Sequence, residues 1–397
     1  MIFKKNELKL LSPFYIYTLL SFTFSLGGSF LVIWLNSLGY SYFEISLIFV
    51  IEEIFTFLLE IPTGAIADKY GRKKSALIGK TLRAFVYFSL AFVTNYYLLI
   101  FIFIIRALVG TLISGAYDSW IVDHLKHNNR SDLVEQYFAK FASLISLGFI
   151  FSGILAGFII SQYGLKMLWI VQGIAFLLST FILYPVKETK YVSKLAEEES
   201  LEDKGIFNIT SKAFLIIKNK KKLLWLLGGL GFLHFSAAIT WYAWPVFLQQ
   251  SGVKLEWIAY IESIGYAIAV FIPFMALKLK SILKEKNSLI LITTLEILSL
   301  FSIFYIAGPI LSLLIFLIWS SITNFEDPIS EPFFHKLVPS SHRATLGSIK
   351  SMLFAITGGT STLFVGLILD LYSAKIALLI AGALLIPVIF FYLKIKD

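Results

Sequence analysis

Long apolar runs separated by short polar breaks recur from one end of the chain to the other. They place spans near residues 12–36, 42–67, 75–94, 96–122, 137–161, 165–186, 222–248, 255–278, 288–307, 309–334, 342–368 and 374–394. Each run approaches or exceeds the ~20 apolar residues that carry a helix across a bilayer. The runs are too long for barrel strands of ~10 residues and lack strict alternation, so helices are the only spanning structure they fit. The pattern therefore predicts an all-α membrane protein with twelve transmembrane helices.

The one long hydrophilic stretch, residues 187–221, divides that pattern into 1–186 and 222–397, six spans on either side. It holds Lys194-Leu-Ala-Glu-Glu-Glu-Ser-Leu-Glu-Asp-Lys204 and begins the run Lys218-Asn-Lys-Lys-Lys222. It has too little apolar surface to fold by itself, although part of it can lie at an interface as an amphipathic helix. A faint repeat links the two halves. Asp118 and then Asp123-His124 at the end of the fourth span are echoed by Asp327, Glu331 and His335 at the end of the tenth, with Arg130 and Arg343 following. The expected architecture is two pseudo-symmetric six-helix bundles joined by a linker.

Between the second and third runs lies Gly64-Ala-Ile-Ala-Asp68-Lys-Tyr-Gly71-Arg72-Lys73-Lys74, glycine-marked and dense in charge. It reads as a tight turn at a membrane face, with the glycines letting two helices pack closely. Four cations crowd it, and such an excess marks a cytoplasmic loop. Fixing this turn inside fixes every other loop, and the remaining Lys and Arg then test the choice. Most fall in segments placed inside; Lys166, Lys254 and Lys375 fall outside, and Arg83, Arg106 and Lys350 are among those within spans. Both termini are thus expected in the cytoplasm, in a multi-pass protein of the cell membrane.

The motif Gly64-x3-Asp68-x2-Gly71-Arg72-Lys73 resembles the loop signature between spans 2 and 3 of the major facilitator superfamily of secondary transporters. Span 4, with Arg106-Ala-Leu-Val-Gly110-Thr111-Leu-Ile-Ser114-Gly115, is similar to the arginine-and-glycine pattern of the same superfamily. Arg343-Ala-Thr-Leu-Gly-Ser348 looks like the start of its span 11. Gly148-x4-Gly153-x3-Gly157 in span 5 resembles the glycine-rich pattern of the drug/proton antiporters, without their Gly-Pro pair; close packing of spans explains it equally. The resemblance implies a carrier that works by alternating access, with its site near the midplane between the bundles. It also implies that Gly64, Asp68, Gly71, Arg72 and Lys73 form the inner gate.

Charges at membrane depth are the candidate functional groups, because each costs at least ~3 kcal/mol unless paired or wetted. Arg106 must therefore meet an acid or a cavity. With 100° per residue, Arg106, Gly110, Thr111, Ser114 and Asp118 fall within an arc of roughly 140° and make a candidate cavity wall. A structural ion pair between helices is the competing reading of Arg106. Span 2 carries Glu52, Glu53 and Glu60, the last two on one helix face. Carboxylates withdrawn from water exchange protons at higher pH than exposed ones. Glu52, Glu53, Glu60, Arg106, Asp118 and Glu262 are accordingly the proton-coupling candidates, with Glu60 assigned to the inner gate.

In the second half Glu262, Glu296, Glu326, Asp327 and Lys350 are the charges at depth, and Lys350 is expected to pair with one of those acids. Pro328 predicts a bend in span 10. His234, Ala238, Trp241 and Pro245 share a face of span 7, where imidazole and aromatic rings suit a cationic or amphiphilic ligand. His234, Trp241, Glu326, Asp327, Lys350, Gly110, Thr111 and Ser114 are the substrate-cavity candidates.

Composition narrows the classes. With 58% hydrophobic residues, 38 Phe and 15% charged residues among 397, the chain is not a soluble enzyme. The net charge of +9 sits in loops beside apolar runs, where membrane topology and anionic lipid explain it better than nucleic acid does. The absence of cysteine removes thiol chemistry and cysteine-held metal. No phosphate-binding glycine loop followed by lysine occurs, which speaks against an ATP-driven pump. The five histidines show no metal-ligand spacing within the membrane. The expected protein is a monomeric carrier without cofactor, metal or catalytic residues, taking a small molecule and protons in a lipid bilayer. Within that class, acids outnumbering bases favour proton-coupled export of a cationic or amphiphilic compound. Proton-coupled uptake of a sugar, peptide or other nutrient is the alternative, and a transport-inactive scaffold or sensor a remote one.

Overall fold

A computed structural model describes residues 3–188, 220–338 and 343–395, the side chains of 343–345 excepted. Among these residues the regular structure is entirely helical. Most of the expected linker 187–221, and the side chain of Arg343 in the span 11 motif, lie outside what is described.

The first run is two helices, α1 (Glu7–Thr23) and α2 (Leu31–Ser37), rather than one span over 12–36. It breaks where Gly27 presses against the Trp169 indole, a place no side chain could occupy. The Gly27 N–H, lost to the helix ladder, donates instead to Gln172 Oε1 at 2.9 Å. The second junction is also tighter than expected. α3 (Tyr42–Tyr70) carries Gly64 to Tyr70 in helical conformation, and α4 (Arg72–Ser89) starts at once. The turn anticipated over Gly64–Lys74 shrinks to Gly71, whose φ of 112° lies where only glycine is at ease. Gly64 faces open space, so the close packing expected of it is not what it provides.

α5 (Tyr96–His127) is capped by Asn95, whose side chain accepts from the Leu98 N–H at 3.2 Å. It is followed by α6 (Val134–Tyr163) and α7 (Leu165–Phe181). The later elements are α8 (Lys221–Gln250), α9 (Leu255–Ala269), α10 (Ile272–Ser302), α11 (Pro309–Thr323), α12 (Asp327–Leu337), α13 (Arg343–Leu371), α14 (Ala374–Leu384) and α15 (Ile386–Leu393). α10 is two helical pieces meeting at Lys284, with φ 62° and ψ 171°. The bend expected at Pro328 is present, because helix ends at Thr323 and restarts at Asp327 with the proline in its first turn. Among the described residues, seven helical stretches are long and apolar enough to cross a membrane, from Tyr96–His127 to Ala374–Leu393.

Two compact units emerge. Unit 1 comprises Met1–Leu38, Leu47–Glu197 and Leu255–Ala267, and unit 2 comprises Gly39–Ser46, Glu198–Lys254 and Ile268–Asp397. In unit 1, α4 packs on α5 and α7, and α1 on α6. The glycines of α6 are sites of close approach, Gly148 against Phe22, Gly153 against Ala259 and Ser263, and Gly157 against Tyr260. Phe14, Tyr15, Tyr17, Tyr117, Trp120 and Tyr137 belong to one buried core of the unit. In unit 2, α8 packs on α13, α14 and α15, while α10 packs on α11, α12 and α14. The start of α3 is held there by Asp370, whose two carboxylate oxygens accept the Tyr42 and Phe43 N–H groups, each at 2.8 Å.

Candidate functional site

In unit 1 the mid-helix arginine meets an acid. Arg106 Nε and Nη2 donate to the two Glu52 oxygens at 2.5 and 2.7 Å, a fork-to-fork pair linking α5 to α3. The guanidinium also lies 4.6 Å from the Phe103 ring centroid. Glu53, the next residue, is exposed, as is Glu60 seven residues on. The stripe read from the sequence separates into two parts. Gly110, Ser114 and Asp118 continue from Arg106 as an open polar face, whereas Thr111 is buried and donates to the Leu108 carbonyl at 3.0 Å.

The loop signature forms an ion cluster. Arg72 donates through Nε and Nη2 to Asp68 at 3.3 and 3.2 Å and through Nη1 to Asp123 at 2.7 Å. The Lys73 N–H donates to Glu188 at 3.2 Å, and its ammonium to the Tyr184 carbonyl at 2.8 Å. Glu262 on α9 is partly buried and contacts Ser29 in the break of the first run.

Sequence reasoning passed over one group here. Lys80 on α4 is 3% exposed and sits 3.9 Å from the Tyr17 ring centroid and 3.5 Å from that of Tyr117. Its aromatic surroundings offset part of the cost of a buried ammonium. The signal was a lysine inside an apolar run, the same signal that flagged Arg106.

Unit 2 holds a cavity of about 270 Å³ whose wall mixes charged and apolar side chains. Its wall includes His234 and Thr240 from α8, Glu296 from α10, Trp319 and Thr323 from α11, Glu326 at the break, Asp327, Ser330 and Glu331 from α12, and Phe354 from α13. Lys350 pairs with Glu331 and not with the deeper acids proposed for it. Glu331 lies one helical turn beyond Asp327 and so reaches α13 from the same side. His234 stacks on Phe354 with centroids 4.4 Å apart and contacts Thr357 Oγ1 through Nδ1 at 3.1 Å. Since the Thr357 hydroxyl donates to the Leu353 carbonyl at 2.9 Å, His234 Nδ1 is assigned as the donor, and the neutral ring keeps Nε2 as an acceptor. Trp241 is 51% exposed, packs edge-on to Tyr242 and is not part of this wall. Glu296, noted only as a charge at depth, belongs to the site.

Ahead of the first span, Glu7 anchors α1. It accepts from Tyr15 OH and from the Lys4 N–H, each at 2.8 Å, and pairs with Lys140. Burial raises its pKa, but Lys140, Lys4 and Tyr15 more than offset this, leaving it below the ordinary carboxylate value. A depressed pKa gives stability that is complete above the unfolded value of ~4.3 and is lost as pH falls through the folded one. Glu7→Gln is therefore expected to lower the melting temperature at pH 7 and to converge on the wild type once the pH has fallen below the folded-state pKa of Glu7. Thermal unfolding at both pH values checks this, and an equal deficit at both would show that charge is not the cause.

A family model described as Major Facilitator Superfamily matches residues 14–349. YxaM, an MFS-type transporter of Bacillus subtilis (strain 168), is 26% identical over 380 residues, covering 92% of this chain and 91% of that protein. Among solved structures, the nucleoside transporter NupG aligns with a TM-score of 0.74 at 16% identity, over 98% of this chain and 100% of that one. A D-xylose-proton symporter aligns with a TM-score of 0.71 at 16% identity, over 98% of each chain.

Proposed function

The chain belongs to the major facilitator superfamily and is a multi-pass transporter of the secondary type, and from that premise we propose that it exports a cationic or amphiphilic small molecule in exchange for protons. The observation that carries this reading is the unit 2 cavity, which holds Glu296, Glu326, Asp327 and Glu331 against the single ammonium of Lys350. A neutral hydroxylated cargo such as a sugar wants donors as well as acceptors. Here Ser236, Thr240 and Thr323 spend their hydroxyl hydrogens on the carbonyls of Ala381, Ala237 and Ser320, at 2.9, 2.8 and 3.0 Å. The wall therefore offers mainly acceptors and negative charge, which a cation satisfies.

In this reading Glu52 is the leading proton acceptor, because a proton on it would dissolve the charge pair with Arg106. Glu53, Glu60, Asp118 and Glu262 are the further candidates. Proton binding shifts the balance of conformations only if the two states differ in proton affinity, and a pair made in one state and broken in the other supplies that difference. The Asp68–Arg72–Asp123 cluster with Gly64, Gly71 and Lys73 is assigned to the inner gate. The protein is placed in the cell membrane as a monomer with both termini cytoplasmic.

Proteoliposomes with an acidic lumen test the exchange. The outward proton gradient should drive ethidium into the vesicles, and a protonophore should abolish uptake. If the gradient drives none of a panel of cationic dyes, or drives a sugar in the same direction as protons, the export reading falls.

A further inference from the structure

Glu296 and Glu326 stand apart from the other ionisable groups of the molecule. Glu296 is 3% exposed and Glu326 8%, both face the unit 2 cavity, and neither side-chain carboxylate makes a hydrogen bond or salt bridge with any described residue. Three cations at depth have partners: Arg106 has Glu52, Lys350 has Glu331, and Lys80 has two tyrosine rings. An anion withdrawn from water without a counter-charge is costly, and two in one cavity repel. The nearby ammonium of Lys350 is taken by Glu331, which leaves the charge facing the cavity negative.

We propose that this cavity is a binding site for a compact organic ammonium ion, whose N–H groups donate to Glu296 and Glu326 while its carbon skeleton lies against Trp319 and Phe354. This rests on, and deepens, the reading of the protein as a cation carrier. Size, shape and chemistry converge on that occupant. The volume of about 270 Å³ lies just under the ~300 Å³ at which drug-sized pockets begin, so the ligand is small. Among the described residues no three His, Asp or Glu side chains converge to hold a metal ion, which disfavours a divalent cation. The aromatic side chains of the wall give an organic cation a surface that a bare inorganic ion cannot use. The remaining charged and titratable groups facing the cavity are Asp327, Glu331 with its partner Lys350, and His234; Tyr392 lies close by. Their sum is also negative. The helix break between Thr323 and Asp327 is where Glu326 sits, and interrupted spans are where transporters of this general design place ligand-binding groups.

The test is equilibrium binding of radiolabelled benzylammonium to purified full-length protein, with benzyl alcohol as a neutral control of similar size. Benzylammonium should bind and benzyl alcohol should not compete. Glu296→Gln and Glu326→Gln should each raise the Kd by about tenfold or more, because each removes a desolvated charge partner. Neutralising a buried acid should not harm folding, but a measurement on unmutated protein guards the result. Benzylammonium should protect Glu296 and Glu326 from a hydrophobic carbodiimide, read by mass spectrometry. Unchanged Kd in both folded variants, or no protection, would place the cation elsewhere and overturn the site while ethidium exchange still stood. Protection by sodium chloride and not by benzylammonium would make it an inorganic ion site and equally overturn the proposal. Absence of both binding and ethidium exchange would remove the reading as a cation carrier as well.

Discussion

Arg106→Ala should be the most damaging single substitution in unit 1, lowering fold stability by about 2–3 kcal/mol and abolishing transport. The side chains of the pair are only 22% and 15% exposed, so alanine leaves the Glu52 carboxylate short of its counter-ion in a poorly hydrated place. Cutting one partner of a fully buried pair costs ~3–5 kcal/mol, and partial exposure trims that figure. A loss of ~3 kcal/mol is a factor of about 100 in an equilibrium constant, enough to upset a balance between conformations that differ by a few kcal/mol. Arg106→Lys should recover only part of the loss, since an ammonium cannot reproduce the two-pronged contact. The double variant Glu52→Gln with Arg106→Gln separates structure from function. It removes both charges and should restore most of the melting temperature, but not flux. Thermal unfolding and proteoliposome flux on the same preparations decide it; wild-type flux in the double variant would reduce the pair to a structural tie.

The sequence shows that Arg106 must have a partner and does not show which one, because the choice among the acids depends on how α3 crosses α5. Glu52 and Glu53 are neighbours of equal chemistry, and a rotation of about 100° between them puts one on the arginine and the other in the open. Lys80 escaped for a related reason. Its closest partners are the faces of Tyr17 and Tyr117, which a search for an ion-paired acid passes over. The break at Gly27 and Gly28 was concealed inside an apolar run, and only the approach of Trp169 from α7 makes the glycine necessary. Helix character, the bend at Pro328 and the close packing along Gly148, Gly153 and Gly157 were legible because each is written locally. The meeting of Glu296 with Glu326 was not, because it joins different helices and leaves no local trace.

The signature cluster gives the second large effect, and its two ion pairs should behave unequally. Arg72 touches Asp68 at 3.2 Å and Asp123 at 2.7 Å, but the Asp68 side chain is 68% exposed and that of Asp123 only 13%. An exposed pair one turn apart is worth at most ~0.5 kcal/mol, so Asp68→Asn should leave the melting temperature nearly unchanged. Arg72→Ala abandons a poorly hydrated Asp123 and should cost about 1–3 kcal/mol. If the cluster is a gate, both variants should nonetheless shift the conformational balance, since a gate needs only to favour one state over the other. The chain lacks cysteine, so a single reporter can be read without background. Ser114→Cys on the open face of α5 is suited to labelling by a membrane-impermeant maleimide. Loosening the cluster should change the labelling rate several-fold in Arg72→Ala, and in the same direction in Asp68→Asn despite its intact stability. Equal rates in wild type and both variants would mean that the cluster braces the junction at Gly71 without controlling access.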